Sequence, residues 1–206
     1  MKSPLNYQRT EYDCGPTTLI NAVSFLFNRN EIPPDVVKHI MIYGMDAYNC
    51  KGESCKNGTS RMAMMFLANW LNQFGRVKKF PVQCEYLTGT EVFIGQNSRI
   101  VAGLQQGGTA VARVWYGCWH YVLLTGLDEG HVRLFDPYFR KKDFRIAGVE
   151  IIAGEAKSVN RRVAAELLNR EQRSPYAFGP KEEREAMILF NEKTRSTPAK
   201  TIEYFI

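Results

Sequence analysis

The feature that most restricts the fold is a change of hydrophobic rhythm about halfway along the chain. In Thr17–Arg29 the residues Leu19, Ile20, Val23, Leu26 and Phe27 recur at three- and four-residue spacing, which predicts a buried helix. Asp13 is placed to act as its N-cap, and Pro16 suits a first turn, where a missing N–H costs nothing. By contrast, Thr109–Trp115, Trp119–Leu127 and His131–Phe135 are three strand signals in quick succession. Helices first and an antiparallel meander afterwards predict an α+β fold, with helices segregated to one side of a sheet.

The segments between fill in this plan. Pro33-Pro34 starts a short helix reaching about Met41, the polar stretch Gly44–Thr59 reads as a loop, and Ser60–Phe74 returns to helical spacing. A short strand is expected near Lys79–Cys84, then a helix near Asn97–Gln106 ended by Gly107-Gly108, with Val149–Ile152 as a fourth candidate strand after the meander. After Gly154 the composition turns more charged. Asn160–Gln172 and Lys181–Lys193 read as amphipathic helices, and Thr201–Ile206 as an edge strand. The expected organisation is therefore a domain over 1–153 and a helical C-terminal extension over 154–206, packed on that domain. A length of 206 residues suits one substantial core.

Composition narrows the function classes. The net charge is +6, but basic residues are interleaved with acidic ones rather than gathered in the stripe that nucleic acid demands. No apolar run approaches the roughly 18 residues of a membrane span, and the N-terminus lacks a signal-peptide core. Five cysteines at irregular spacing make a poor disulfide framework. These observations predict a reduced, cytoplasmic protein with no nucleic-acid partner.

Cys14 falls at the predicted helix start, where the helix dipole and free N–H groups favour a thiolate. Gly15 leaves room there for a substrate carbonyl. His120 lies in an apolar strand beside Trp119 and Tyr121, and a buried imidazole needs partners for its ring nitrogens. A three-residue loop at Asp128-Glu129-Gly130 sets Leu127 opposite His131 and His120 opposite Tyr138. Asp136 is then the diagonal neighbour of His120 on the same face, roughly 7–8 Å away. A two-residue loop without a bulge puts Asp136 on the other face. Gln8, six residues before Cys14, can offer a side-chain N–H to an oxyanion, with the Cys14 backbone N–H as second donor. Trp119, with Trp115 and Tyr116, is a candidate cleft wall. Cys118 reads as a buried spectator. Cys50 and Cys55 read as a disulfide or inert thiols rather than a metal site, and no cofactor is called for.

Gln8…Asp13-Cys14-Gly15-Pro16 with His120…Asp136-Pro137 resembles the papain-like bacteriocin-processing peptidases, which remove double-glycine leader peptides in bacteria. The resemblance covers roughly residues 5–140 and implies a papain-like α+β fold. It also implies Cys14 as nucleophile, His120 as base, Asp136 as orienting residue and Gln8 as oxyanion donor. Members are usually fused to a transporter, whereas this sequence shows neither membrane spans nor a P-loop, so a stand-alone form is expected. The expected activity is a cysteine peptidase or amidohydrolase acting on a peptide or small amide. The rivals are a thiol acyltransferase using the same triad and an inactive binding module.

Overall fold

The structure, a computed structural model, describes residues 1–142, 144, 146–152 and 158–196. Among these, helices α1 (Cys14–Leu26), α2 (Pro34–Gly44) and α3 (Arg61–Lys78) come first. Strand β1 (Val82–Thr88) and helix α4 (Arg99–Gln105) follow. Then come β2 (Thr109–Trp115), β3 (Trp119–Asp128), β4 (His131–Phe135), β5 (Val149–Ile151), β6 (Arg161–Ala164), the one-turn helix α5 (Ala165–Leu168) and β7 (Glu185–Asn191). The seven strands form one sheet in the order β1-β7-β2-β3-β4-β6-β5, and every neighbouring pair is antiparallel. The predicted α+β class therefore holds. No helix among the described residues is long and apolar enough to cross a membrane.

The sheet is buried on both faces. Helices α1, α2 and α3 pack Leu19, Val23, Ile40, Leu67 and Leu71 against one face, which presents Val111, Tyr121, Leu123 and Phe135. Val122, Leu124, Val132, Leu134 and Ile188 look to the opposite face, covered by Ile100 and Leu104 of α4 and by Leu167, Leu168, Tyr176 and Phe178. Each fully buried leucine contributes about 1.5–3 kcal/mol relative to an exposed one. This two-sided burial explains why β2 reads as a nearly continuous apolar run.

The C-terminal part departs from expectation. The amphipathic helices predicted over Asn160–Gln172 and Lys181–Lys193 do not form. Their place is taken by β6, the single turn α5 and β7, and β7 lies inside the sheet between β1 and β2. Residues 158–196 are thus part of the main sheet and its covering, not a helical extension. The strand expected at Thr201–Ile206 lies outside the described residues.

The β3–β4 hairpin carries two departures that cancel. Its turn has two residues, Glu129 and Gly130, both at positive φ (37° and 81°), so Asp128 pairs with His131 rather than Leu127. A β-bulge then leaves Thr125 as the extra residue between the Leu124–Leu134 and Gly126–Arg133 pairs. The slip and the bulge each shift the register by one. Beyond Thr125 the phase is the one that a three-residue loop would have produced. Alternation from the Leu124–Leu134 pair then sets His120 and Asp136 on the same face.

Candidate active site

Cys14 is the first residue of α1 and is buried. Asp13 occupies the N-cap position but makes no side-chain cap bond to the helix, contrary to its expected role. Its carboxylate turns back instead. It accepts the Arg9 N–H (3.0 Å), the Thr10 N–H (2.7 Å) and hydroxyl (2.6 Å), and the Thr17 hydroxyl (3.2 Å). Burial alone would raise its pKa, but these hydrogen bonds outweigh it and hold the carboxyl below its usual range. The bonds fold residues 9–13 into a tight arch and leave the first N–H groups of α1 without a side-chain cap. One turn into the helix, the Thr18 hydroxyl donates to the Tyr121 carbonyl (3.0 Å), which docks α1 beside His120.

Gly15 is packed closely against Thr59. It is buried, and a Cβ there would fall 2.1 Å from Thr59 Oγ1. Thr59 is itself anchored by donating to the Gly44 carbonyl.

His120 and Asp136 are both buried, and His120 Nε2 lies 2.7 Å from Asp136 Oδ1. Burial works against a charged His120, but the charge and hydrogen bond of Asp136, joined by a hydrogen bond and charge from Cys14, push its pKa up to about 10. For Asp136 burial again opposes ionisation. The His120 charge and hydrogen bond, the Tyr176 hydroxyl and the Tyr138 N–H prevail, so its pKa is lowered. An ionised carboxylate only accepts, so Nε2 carries a proton and Nδ1 is the nitrogen left for Cys14. Cys14 thus acts on a His120–Asp136 pair that lies more than a hundred positions away in sequence.

Gln8 reaches the same place from the other side. Its backbone N–H donates to the Pro137 carbonyl at 2.9 Å, next to Asp136. Its side-chain Nε2 donates to the Thr10 carbonyl at 2.7 Å, which uses one of the two amide hydrogens. Gln8 Oε1 is buried without a hydrogen-bond partner among the described residues.

A cleft of about 600 Å³ opens over Cys14. Tyr12 and residues 57–60 form one wall, and Arg113, Trp115, Trp119 and Arg173 form another. The Arg113 guanidinium lies 4.1 Å from the centroid of the Trp119 ring. Arg113 is in turn paired at 3.3 Å with Glu185 of β7, which is only 1% exposed. The Tyr121 hydroxyl donates to Glu185 at 2.6 Å and the Tyr86 hydroxyl bonds its other oxygen, so this buried carboxylate is well satisfied. Trp119 therefore lines the cleft beside Cys14, its ring against an ion-paired Arg113 that sequence reasoning missed. Cys118 is exposed in the β2–β3 turn and lines the cleft, correcting the buried-spectator reading: it precedes the first pleated position of β3 and follows Gly117 at φ 80°. Cys50 and Cys55 are both exposed free thiols, not a disulfide.

Two residues that hold Asp136 were also missed. The Tyr176 hydroxyl donates to Asp136 Oδ2 at 2.6 Å. The Asn160 side chain clamps the Asp136 backbone, accepting its N–H (2.7 Å) and donating to its carbonyl (2.8 Å). The only local signal was the turn-rich run Ser174-Pro-Tyr-Ala-Phe-Gly-Pro180, which marks an irregular segment without saying where it docks.

No family model matches the chain, and no curated protein sequence does. Among solved structures it is similar to a double glycine motif protease from an AMS/PCAT transporter, in complex with the leader peptide. That match has a TM-score of 0.42 at 11% identity, over 92% of this chain and 90% of the other. It is also similar to the peptidase domain of Streptococcus ComA, described as a bi-functional ABC transporter involved in a quorum sensing pathway. Here the TM-score is 0.43 at 15% identity, over 91% and 97% of the two chains. The peptidase domain of Streptococcus mutans ComA gives 0.39 at 13% identity, over 91% and 98%.

Proposed function

We propose that this chain is a papain-like cysteine hydrolase that cleaves a peptide or other amide through Cys14, His120 and Asp136. The observation that carries the reading is the buried His120, whose Nε2 is held by Asp136 and whose pKa is raised by Asp136 together with the Cys14 thiol at the start of α1. With His120 already carrying the proton at neutral pH, the Cys14 thiolate paired with it attacks the carbonyl carbon. The negative charge formed on the carbonyl oxygen is met by the Cys14 backbone N–H and the second amide hydrogen of Gln8. The tetrahedral intermediate collapses, the C–N bond breaks, and His120 gives its proton to the departing amine. Water, deprotonated by His120, then attacks the thioester and releases the acid and the free thiol. Asp136 holds one imidazole tautomer throughout.

The cleft over Cys14, with its aromatic and guanidinium wall, suits an extended segment with a bulky side chain next to the scissile bond. Among amides, the resemblance of the Gln8, Cys14, His120 and Asp136 motifs favours a peptide. Iodoacetamide at neutral pH should label Cys14 ahead of the exposed Cys50, Cys55 and Cys118, as read by peptide mapping. Cys14→Ala should abolish both that labelling and hydrolysis of a peptide-amide library. Wild-type hydrolysis by the Cys14→Ala protein would sink the proposal.

A further inference from the structure

The Asp136 carboxylate is held at both oxygens. Oδ1 receives His120 Nε2 (2.7 Å) and the Tyr138 N–H (2.8 Å), whereas among the described residues Oδ2 receives only the Tyr176 hydroxyl (2.6 Å). A carboxylate held at one oxygen can rotate about its Cβ–Cγ bond. Held at both, it presents Oδ1 to the imidazole in one orientation.

The Tyr176 hydroxyl has its own direction set. It accepts from Arg161 Nε at 3.2 Å, so its single proton is left for Asp136. Arg161 is 2% exposed, and its other nitrogens donate to the Asn160 carbonyl (2.8 Å) and the Tyr138 carbonyl (3.4 Å). It has no ion pair among the described residues, and the carboxylate it reaches is Asp136, through the hydroxyl. Hydrogen bonds to charged groups in a buried site are the stronger ones.

The backbone shows that this arrangement is held against strain. Tyr176 has φ 65°, a left-handed conformation that is rare for a bulky residue, yet it is completely buried. Its N–H donates to the Trp115 carbonyl and the Ala177 carbonyl accepts the Trp115 N–H, each at 2.8 Å, pinning the segment to the end of β2. Its ring lies 5.6 Å from that of Tyr116, which lies 5.7 Å from the His120 imidazole.

We propose that Tyr176, aimed by Arg161, is a positioning residue that locks the Asp136 carboxylate and, through it, the plane of His120. Its value for catalysis rests on the hydrolase reading, but its geometry does not. The groups facing this unit are Cys14 from α1, Asp136 and Tyr138 after β4, Arg161 from β6 and the Tyr116 ring from the β2–β3 turn.

The test uses the full chain carrying Tyr176→Phe, which keeps the ring and removes the hydroxyl. The readouts are the downfield proton resonance of His120 Nε2–H and the rate of Cys14 alkylation by iodoacetamide at pH 7. The expected result is a shifted or broadened resonance and an alkylation rate lowered about tenfold, the scale of one charge-assisted hydrogen bond. An unchanged resonance and rate in a folded Tyr176→Phe protein would overturn the proposal. Should that variant not fold, Arg161→Lys carries the same test: it keeps the charge but loses the fork that aims the hydroxyl, and the same two outcomes decide. If wild-type Cys14 reacts no faster than the exposed thiols, the hydrolase reading fails, while the His120 resonance still decides the positioning role.

Discussion

Burial and pairing act on His120 in opposite directions, and pairing prevails because Asp136 is ionised 2.7 Å away. Asp136→Asn removes the largest influence that raises the His120 pKa and leaves burial opposed only by Cys14, so His120 should titrate well below 10. Proton NMR of the His120 ring against pH reads this directly, and amide hydrolysis at pH 8 should drop by about a hundredfold with the base disoriented. A variant whose His120 still titrates near 10 would show that another group supplies the charge. The sign for stability follows from the same shift. The folded value is raised, so the contribution of His120 is fully present below pH 6.5 and is lost as pH climbs toward about 10. Asp136, whose folded value is lowered, contributes above its usual 3.8 and loses that contribution as pH falls through the lowered value. Cys14, His120 and Asp136 were legible because each is a reactive or polar residue at a patterned position: a helix start, an apolar strand, a strand end. Tyr176, Asn160 and Arg161 were not, because their roles arise from contacts 15 to 40 residues distant in a segment whose local pattern says nothing about docking.

At the scale of elements, the facing of His120 and Asp136 is set by the sum of turn length and bulge in the β3–β4 hairpin. Thr125 is the bulge that compensates the two-residue turn at Glu129-Gly130, and pattern reasoning reached the correct facing of Asp136 through a different loop. Turn length and bulge cannot be separated from sequence here, because Asp-Glu-Gly supports either connection and only their sum sets the phase. Deleting Thr125 removes only the extra residue: Leu124 still pairs with Leu134 around the same two-residue turn, and His120 stays on the face of Asp136. The deletion should therefore keep selective Cys14 labelling by iodoacetamide, as read by peptide mapping. A deletion variant that folds but labels Cys14 no faster than Cys50 or Cys55 would show that the bulge does more than compensate the turn.

For the molecule as a whole, the decisive strand is the one that local pattern read as a helix. Glu185–Asn191 contains Glu, Ala, Met and Leu, all good helix formers, and is flanked by charged residues. It nevertheless runs as β7 with all seven residues buried. A strand covered on both faces shows no alternation, so period alone cannot distinguish it from a buried helix. What decides is non-local: β1 pairs along its whole length, from Val82–Asn191 to Thr88–Glu185, and β2 pairs on its other side, from Thr109–Leu189 to Ala112–Ala186. Glu185, which reads as a solvent-facing helix residue, is instead buried where Tyr86, Tyr121 and Arg113 satisfy it. The expected division at residue 153 would cut through this sheet. A chain ending there leaves β1 with no neighbour in the sheet and strips Asp136 of Tyr176 and Asn160. It also uncovers the apolar face over which Phe178 and Leu168 pack. We expect residues 1–153 to lack near-ultraviolet circular dichroism and a cooperative thermal transition, and to alkylate Cys14 no faster than Cys50 or Cys55. A truncated chain that unfolds cooperatively and keeps selective Cys14 labelling would mean that the first half is a self-sufficient domain, and the one-sheet account would have to be abandoned.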